Sequence, residues 1–303
     1  MKLIYMTSKF ISILIFTALL LNLSCNNSFE KDLEIVSVSI LPQKYFIEAL
    51  SGDHFTINVL IPTGANPASY EPSPRQMTAL DQSGLYLRIG QIGFEKAWMP
   101  RIEKNYPDMH IADLSAGIEL MGESEVEHEH EQDAKHEDQH DHGIDPHIWL
   151  SPKAAKTIVN NTANALIHFD GSCKDLIRRK QDSLLAQIDI LDQEFTATIS
   201  LLANRKFLIF HPALTYLARD YDLEQISMEL EGKEPSVAHF KEIVDRTKAE
   251  NIKVIFIQKE FETRNAEQMA QETGARIIQI DPLEENWMKQ MKELLIKLKD
   301  LDN

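Results

Sequence analysis

The chain has 303 residues, 43% apolar and 26% charged, the balance of a soluble globular protein with room for two domains. Acids outnumber bases 47 to 31, a net charge of −16, which argues against a nucleic-acid binder and favours cations as ligands. Two cysteines, Cys25 and Cys173, exclude both a disulfide framework and a Cys-rich zinc module.

Residues 1–25 read as an export signal. Lys2 and Lys9 provide a basic start, and Phe10 to Leu21 is an apolar run too short for a finished membrane span, which needs about 20 residues. Cys25 stands where bacterial lipoproteins carry their lipid, although Asn22 replaces the usual Leu three residues earlier. A plain secretory signal with an incidental cysteine is the alternative. Removing the signal deletes two lysines and takes the net charge to about −18. Cys173, left without a partner, then reads as a buried small apolar side chain.

The mature chain divides into an N-terminal α/β lobe (26–170), a linker helix (171–203) and a C-terminal α/β lobe (204–303). In the first lobe, residues 34–41 and 55–61 read as strands, with Pro42 opening a helix between them that runs to about Ser51. Residues 62–74 form a Pro/Gly/Asn-rich loop, followed by a short helix near 76–81 and a strand at 85–89. Strand–helix alternation predicts a parallel sheet, and no GxGxxG follows any strand, which argues against a dinucleotide site.

Residues 122–143 hold five histidines (His128, His130, His136, His140, His142) and nine acids with almost nothing apolar. Such a segment cannot offset its ordering entropy and is expected to be disordered. Its composition points to weak, auxiliary metal binding rather than to a solvated acidic loop.

Residues 152–203 read as continuously helical. Leu184, Ile188, Leu191, Phe195, Ile199 and Leu202 form one apolar stripe, on a helix of about 45 Å from Lys174 onward. The last hundred residues resume the alternation, with strands at 206–211, 254–258 and 276–280 and helices at 236–249, 262–273 and 284–301. The expected fold is therefore two pseudo-symmetric parallel-sheet α/β lobes joined by a long rigid helix.

Open α/β sheets place ligands beyond the carboxyl ends of their strands. His211 and Asp281 each end a strand and precede a proline, and His147 lies in DPHIWLSP just past the His-rich segment. Two imidazoles and a carboxylate suit a divalent metal better than proton chemistry.

At these residues the chain resembles the metal-specific solute-binding proteins of bacterial ABC importers, the zinc/manganese cluster. The resemblance rests on SILPQKYFIEALSGD, IPTGANPASYEPSPRQM, DPHIWLSP, FHPALTYLARDYDL, EGKEPS and IDPL. It implies a cleft site between two lobes, with the second imidazole on His147, the third on His211 and the carboxylate on Asp281. Where the family usually reads PHxYEP, this chain has Pro67-Ala68-Ser69-Tyr70-Glu71-Pro72, so Ala68 replaces the first histidine. A water, His142, Glu71 or Gln43 are the candidates to close the shell, although Glu71 also reads as a cap for the following helix.

Zinc is the expected cargo, because a His-rich segment accompanies zinc more often than manganese in this family; Mn2+ or Fe2+ are the alternatives. The resemblance implies a permease and an ATPase as partners, a lipid-anchored monomer at the membrane surface, and no enzymatic role. A catalytic zinc would also use three ligands and an open position, but no HExxH places a base beside the metal. A surface metal buffer working through residues 122–143 is the remaining alternative.

Overall fold

The computed structural model describes residues 34–122, 143–229, 235–261 and 263–302. Cys25 and the five histidines of the His-rich segment lie outside them.

The first lobe is a four-stranded parallel sheet of β1 (Ile35–Val38), β2 (Thr56–Val59), β3 (Leu85–Arg88) and β4 (His110–Asp113), in the order β2-β1-β3-β4. Helix α1 (Leu41–Ser51) opens with Pro42 in its first turn, where proline costs no hydrogen bond. Helix α2 (Pro74–Asp81) is capped by Ser73, whose hydroxyl accepts from Gln76 N while the Gln76 side chain accepts from Ser73 N at 2.8 Å. Ser73, not Glu71, is thus the cap. Two elements of this lobe are absent from the sequence reading. Helix α3 (Gly93–Asn105) was obscured by Pro100 in its interior, and β4 by its short, half-exposed edge position.

Helix α4 (Pro152–Phe169) and helix α5 (Lys174–Ser200) are separate, not one continuous helix. Asp170 takes extended backbone angles, and its side chain accepts from Ser172 N to cap a 3-10 turn at Gly171–Cys173. The predicted stripe on α5 is buried from Leu184 to Ile199. At 27 residues α5 is about 40 Å long. It packs against α1 and α4 of the first lobe and also against helices of the second.

The second lobe repeats the order of the first: β5 (Lys206–Ile209), β6 (Glu224–Ser227), β7 (Val254–Gln258) and β8 (Arg276–Ile280), all parallel, run β6-β5-β7-β8. Its helices are α6 (Thr215–Tyr221), α7 (Val237–Ala249), α8 (Arg264–Thr273) and α9 (Trp287–Leu298). Neither α6 nor β6 is among the expected elements. Strand β5 shows why parallel strands read as continuous apolar runs. Phe207 and Ile209 face the main core, and Leu208 and Phe210 face a second core under α7 and α8.

The main core is shared by the two lobes. It runs from Val36 and Phe46 through Trp149 and Phe195 to Trp287 and Leu301 as one contiguous cluster. Trp149 Nε1 donates to Pro282 O at 2.8 Å, and Trp287 Nε1 donates back to Trp149 O at 2.6 Å. Both indoles are 1% exposed, so each buried N–H has the partner it requires. Tyr216 adds a third tie by donating to Asp145 O at 2.8 Å. Two lobes fused through an apolar core cannot swing apart freely, because parting them would expose that core to water. Among the described residues no helix is long and apolar enough to cross a membrane.

Candidate functional site

The strand order in each sheet reverses between its two central strands, and the crevice beyond the carboxyl ends of that pair is where open α/β sheets take ligands. In the second lobe the pair is β5 and β7. His211 lies two residues past β5, Lys259 and Glu260 directly follow β7, and Asp281 directly follows β8. His147 comes from the first lobe, at the start of a 3-10 turn at Ile148–Leu150 that leads into α4.

The two histidines meet edge to face with ring centroids 5.4 Å apart. Each has its Nδ1 on a buried carboxylate. His147 Nδ1 is 2.9 Å from Asp145 Oδ1, which also accepts from His147 N at 2.7 Å. His211 Nδ1 is 2.8 Å from Glu229 Oε2. A carboxylate on Nδ1 fixes ring orientation and leaves Nε2 as the nitrogen available to a metal. Packing adds to this: Phe261 stacks on His211 at 5.2 Å, and Trp149 lies 5.2 Å from His147. Burial pushes the Asp145 carboxyl up, but the His147 charge and hydrogen bond outweigh it and hold the group below the usual range.

Asp281 is oriented differently. Its Oδ1 accepts from Leu283 N at 3.2 Å, and its Oδ2 lies 3.3 Å from the Lys259 ammonium. The donor atoms of His147, His211 and Asp281 do not form a group lying entirely within 4.8 Å. Glu260 is a further carboxylate here. Burial raises its proton affinity, the nearby Asp281 charge adds to the effect, and Lys259 and His211 oppose it. Beside His211, a cleft of about 570 Å³ is lined by Phe210, Glu229, Glu260, Phe261 and Arg264.

Of the candidates for the missing ligand, Gln43 is committed elsewhere. It is buried, its Oε1 accepts from Ser39 N and Ile40 N at 3.0 Å, and its Nε2 donates to Leu87 O at 2.7 Å. Ala68 and Glu71 are both exposed. The loop bearing Ala68 is ordered by Phe94 N donating to Pro67 O at 2.9 Å and by its close approach to Gly93. A Cβ on Gly93 would lie 2.6 Å from Ala68 O, so only glycine admits this packing.

Asp145, Glu229 and Glu260 are not among the residues expected at the site. Asp145 carried a signal in its spacing, two residues before His147 in the same segment. Glu229 did not, since only the fold places the end of β6 beside the end of β5.

Fold and site define a two-lobed α/β solute-binding protein whose cleft is lined by imidazole and carboxylate. The family model described as ZnuA, zinc-uptake complex component A, periplasmic, matches residues 36–301, and the chain belongs to that family. It is similar to the high-affinity zinc uptake system protein ZnuA of Bacillus subtilis, 28% identical over 276 residues, covering 88% of this chain and 85% of the relative. Zinc-binding lipoprotein AdcA of Streptococcus pneumoniae serotype 4 is 25% identical over 295 residues; the match covers 91% of this chain but 57% of AdcA. A crystal structure of ZnuA is 33% identical with a TM-score of 0.80, covering 90% of this chain and 100% of that one.

Proposed function

We propose that this chain is the zinc receptor of an ABC importer and that it captures the ion with His147 and His211 in the interlobe cleft. The observation that carries the reading is the imidazole pair: one ring from each lobe, each with Nδ1 on its own buried carboxylate. Two neutral imidazoles are a zinc-type donor set, and a carboxylate beside them offsets charge. Asp281 is the third ligand, and it must exchange the Lys259 ammonium for the metal. Glu260, which feels the charges of Asp281 and His211, is a candidate second carboxylate.

The protein binds and hands over its cargo without chemistry. It delivers zinc to a separate permease driven by an ATPase, and Cys25 carries a lipid that holds the chain, as a monomer, at the membrane surface. Residues 122–143 concentrate cations near the cleft through His128, His130, His136, His140 and His142, with little affinity of their own.

Elemental analysis of the purified protein, with zinc and manganese in competition, tests the reading. One tightly held zinc per chain supports it. Preference for manganese, or metal that dialyses away entirely, contradicts it.

A further inference from the structure

A second cluster of metal-ligating side chains lies at the other end of the first lobe. His54 is in the turn before β2, and Thr56 N donates to Glu34 O at the amino end of β1, so this is the amino end of the strands, opposite the cleft. His54 Nε2 is 2.8 Å from Asp170 Oδ2, and Cys173 Sγ donates to Asp170 O at 3.0 Å. The candidate ligand atoms of His54, Asp170 and Cys173 all lie within 4.8 Å of one another.

We propose that His54, Asp170 and Cys173 form a second divalent-metal site, selective for zinc-like ions and independent of the cleft. Imidazole nitrogen, carboxylate oxygen and thiolate sulfur are all zinc ligands, and the sulfur disfavours magnesium, calcium and manganese. Bond lengths of about 2.0–2.3 Å place the ligand atoms of a tetrahedral ion about 3.3–3.8 Å apart. The present spacing reaches that with small side-chain movements.

The frame holding the donors is rigid. Asp170 N donates to Leu166 O, and Asp170 Oδ1 accepts from Ser172 N, both at 2.9 Å, so the carboxylate is fixed where α4 ends. Cys173 immediately precedes α5 and is 4% exposed. His54 packs edge-on against Phe55 at 4.8 Å. The His54 and Asp170 side chains are 27% and 15% exposed, which leaves an entry path and room for a water as fourth ligand.

Proton and charge balance favour the ion. Metal entry sends the Cys173 thiol proton to solvent, and the imidazole binds through Nε2 while Nδ1 carries the ring proton. One dication, one thiolate and one carboxylate sum to zero, which suits a half-buried position better than an uncompensated charge. The bound ion would clamp the turn before β2 to the junction of α4 and α5.

Cobalt(II) titration of the full chain carrying Cys25→Ser, His147→Ala and His211→Ala tests the proposal. The chain has two cysteines, so Cys173 is then the sole thiol and the sole source of a sulfur-to-cobalt charge-transfer band. The band is expected to saturate at about one equivalent, to disappear in Cys173→Ser, and to be displaced by zinc. His54→Gln, which keeps the thiol, should weaken cobalt binding at least about tenfold, the loss that even an outer-shell partner brings. If removing the cleft histidines or Cys173 impairs folding, the Cys25→Ser chain with and without His54→Gln still decides, because the band reports only the thiol. No charge-transfer band in a chain folded by circular dichroism, or a band indifferent to His54→Gln, overturns the site.

Discussion

His147 and His211 come from different lobes yet place their ring centroids 5.4 Å apart, and neither ring is free to turn, since Asp145 and Glu229 hold their Nδ1 atoms. Lobes that share one apolar core cannot rely on a wide hinge to bring ligands together. Preorganised imidazoles and a carboxylate that changes partner are the smaller movements such a molecule can make.

The carboxylates behind the imidazoles are therefore expected to set zinc affinity without touching the ion. Glu229→Gln keeps an acceptor for His211 Nδ1 but removes the charge that strengthens the ring as a ligand. Zinc affinity should fall about 10–100-fold, with melting temperature little changed, as read by chelator competition and calorimetry. Affinity equal to the parent would show that Glu229 is merely structural.

Ala68→His restores the family's first imidazole on an exposed loop position, so it should cost little stability. A fourth ligand, and third nitrogen, is expected to tighten zinc at least about tenfold. A folded variant with no gain would show that this loop does not approach the His147–His211 pair.

With Asp281 as the proposed third ligand, the Lys259 ammonium 3.3 Å away is expected to compete with zinc for that carboxylate. Lys259→Met is expected to raise zinc affinity severalfold, since one surface ion pair is worth about 0–1 kcal/mol. Weaker binding in this variant would mean that Lys259 positions Asp281 rather than withholding it.

Glu95 makes stability depend on pH in the first lobe. Burial pushes its carboxyl from 4.5 up to about 7, against the opposing hydrogen bonds from Ser39 Oγ and from the N–H groups of Ile89 and Gly90. The folded state then holds a proton that the unfolded state releases. That contribution is complete below 4.5 and is lost as pH rises through about 7. Its full size is of order 3 kcal/mol. Denaturant unfolding at several pH values should show this fall in the parent and its absence in Glu95→Gln, whatever the offset between the two. Parallel curves from pH ~4.5 to ~7 would contradict the assignment.

What was legible in the sequence follows from apolar runs and the breaks that bound them. Strands β7 and β8 match the expected 254–258 and 276–280 residue for residue, because β7 carries four apolar residues before Gln258 and the isoleucines of β8 are ended by Asp-Pro. Edge strands β4 and β6 begin with His110 and Glu224, lack such runs, and escaped notice. The residues expected as ligands were visible because prolines and strand ends mark them. Their partners were not, because Glu229 meets His211 only once β5 and β6 are paired. The break between α4 and α5 was hidden as well: only Gly171 and a capping Asp170 signal it, inside a long helical pattern.

The central claim is that tight zinc binding belongs to the cleft pair and not to the His-rich segment. Chelator-competition titration of the chain lacking residues 123–142, beside the same chain with His147→Ala and with His211→Ala, tests it most directly. The shortened chain should keep one tight zinc, with total stoichiometry lowered, and either substitution should weaken that zinc by several orders of magnitude. A tight site that vanishes with the segment, or that survives both substitutions, would contradict it.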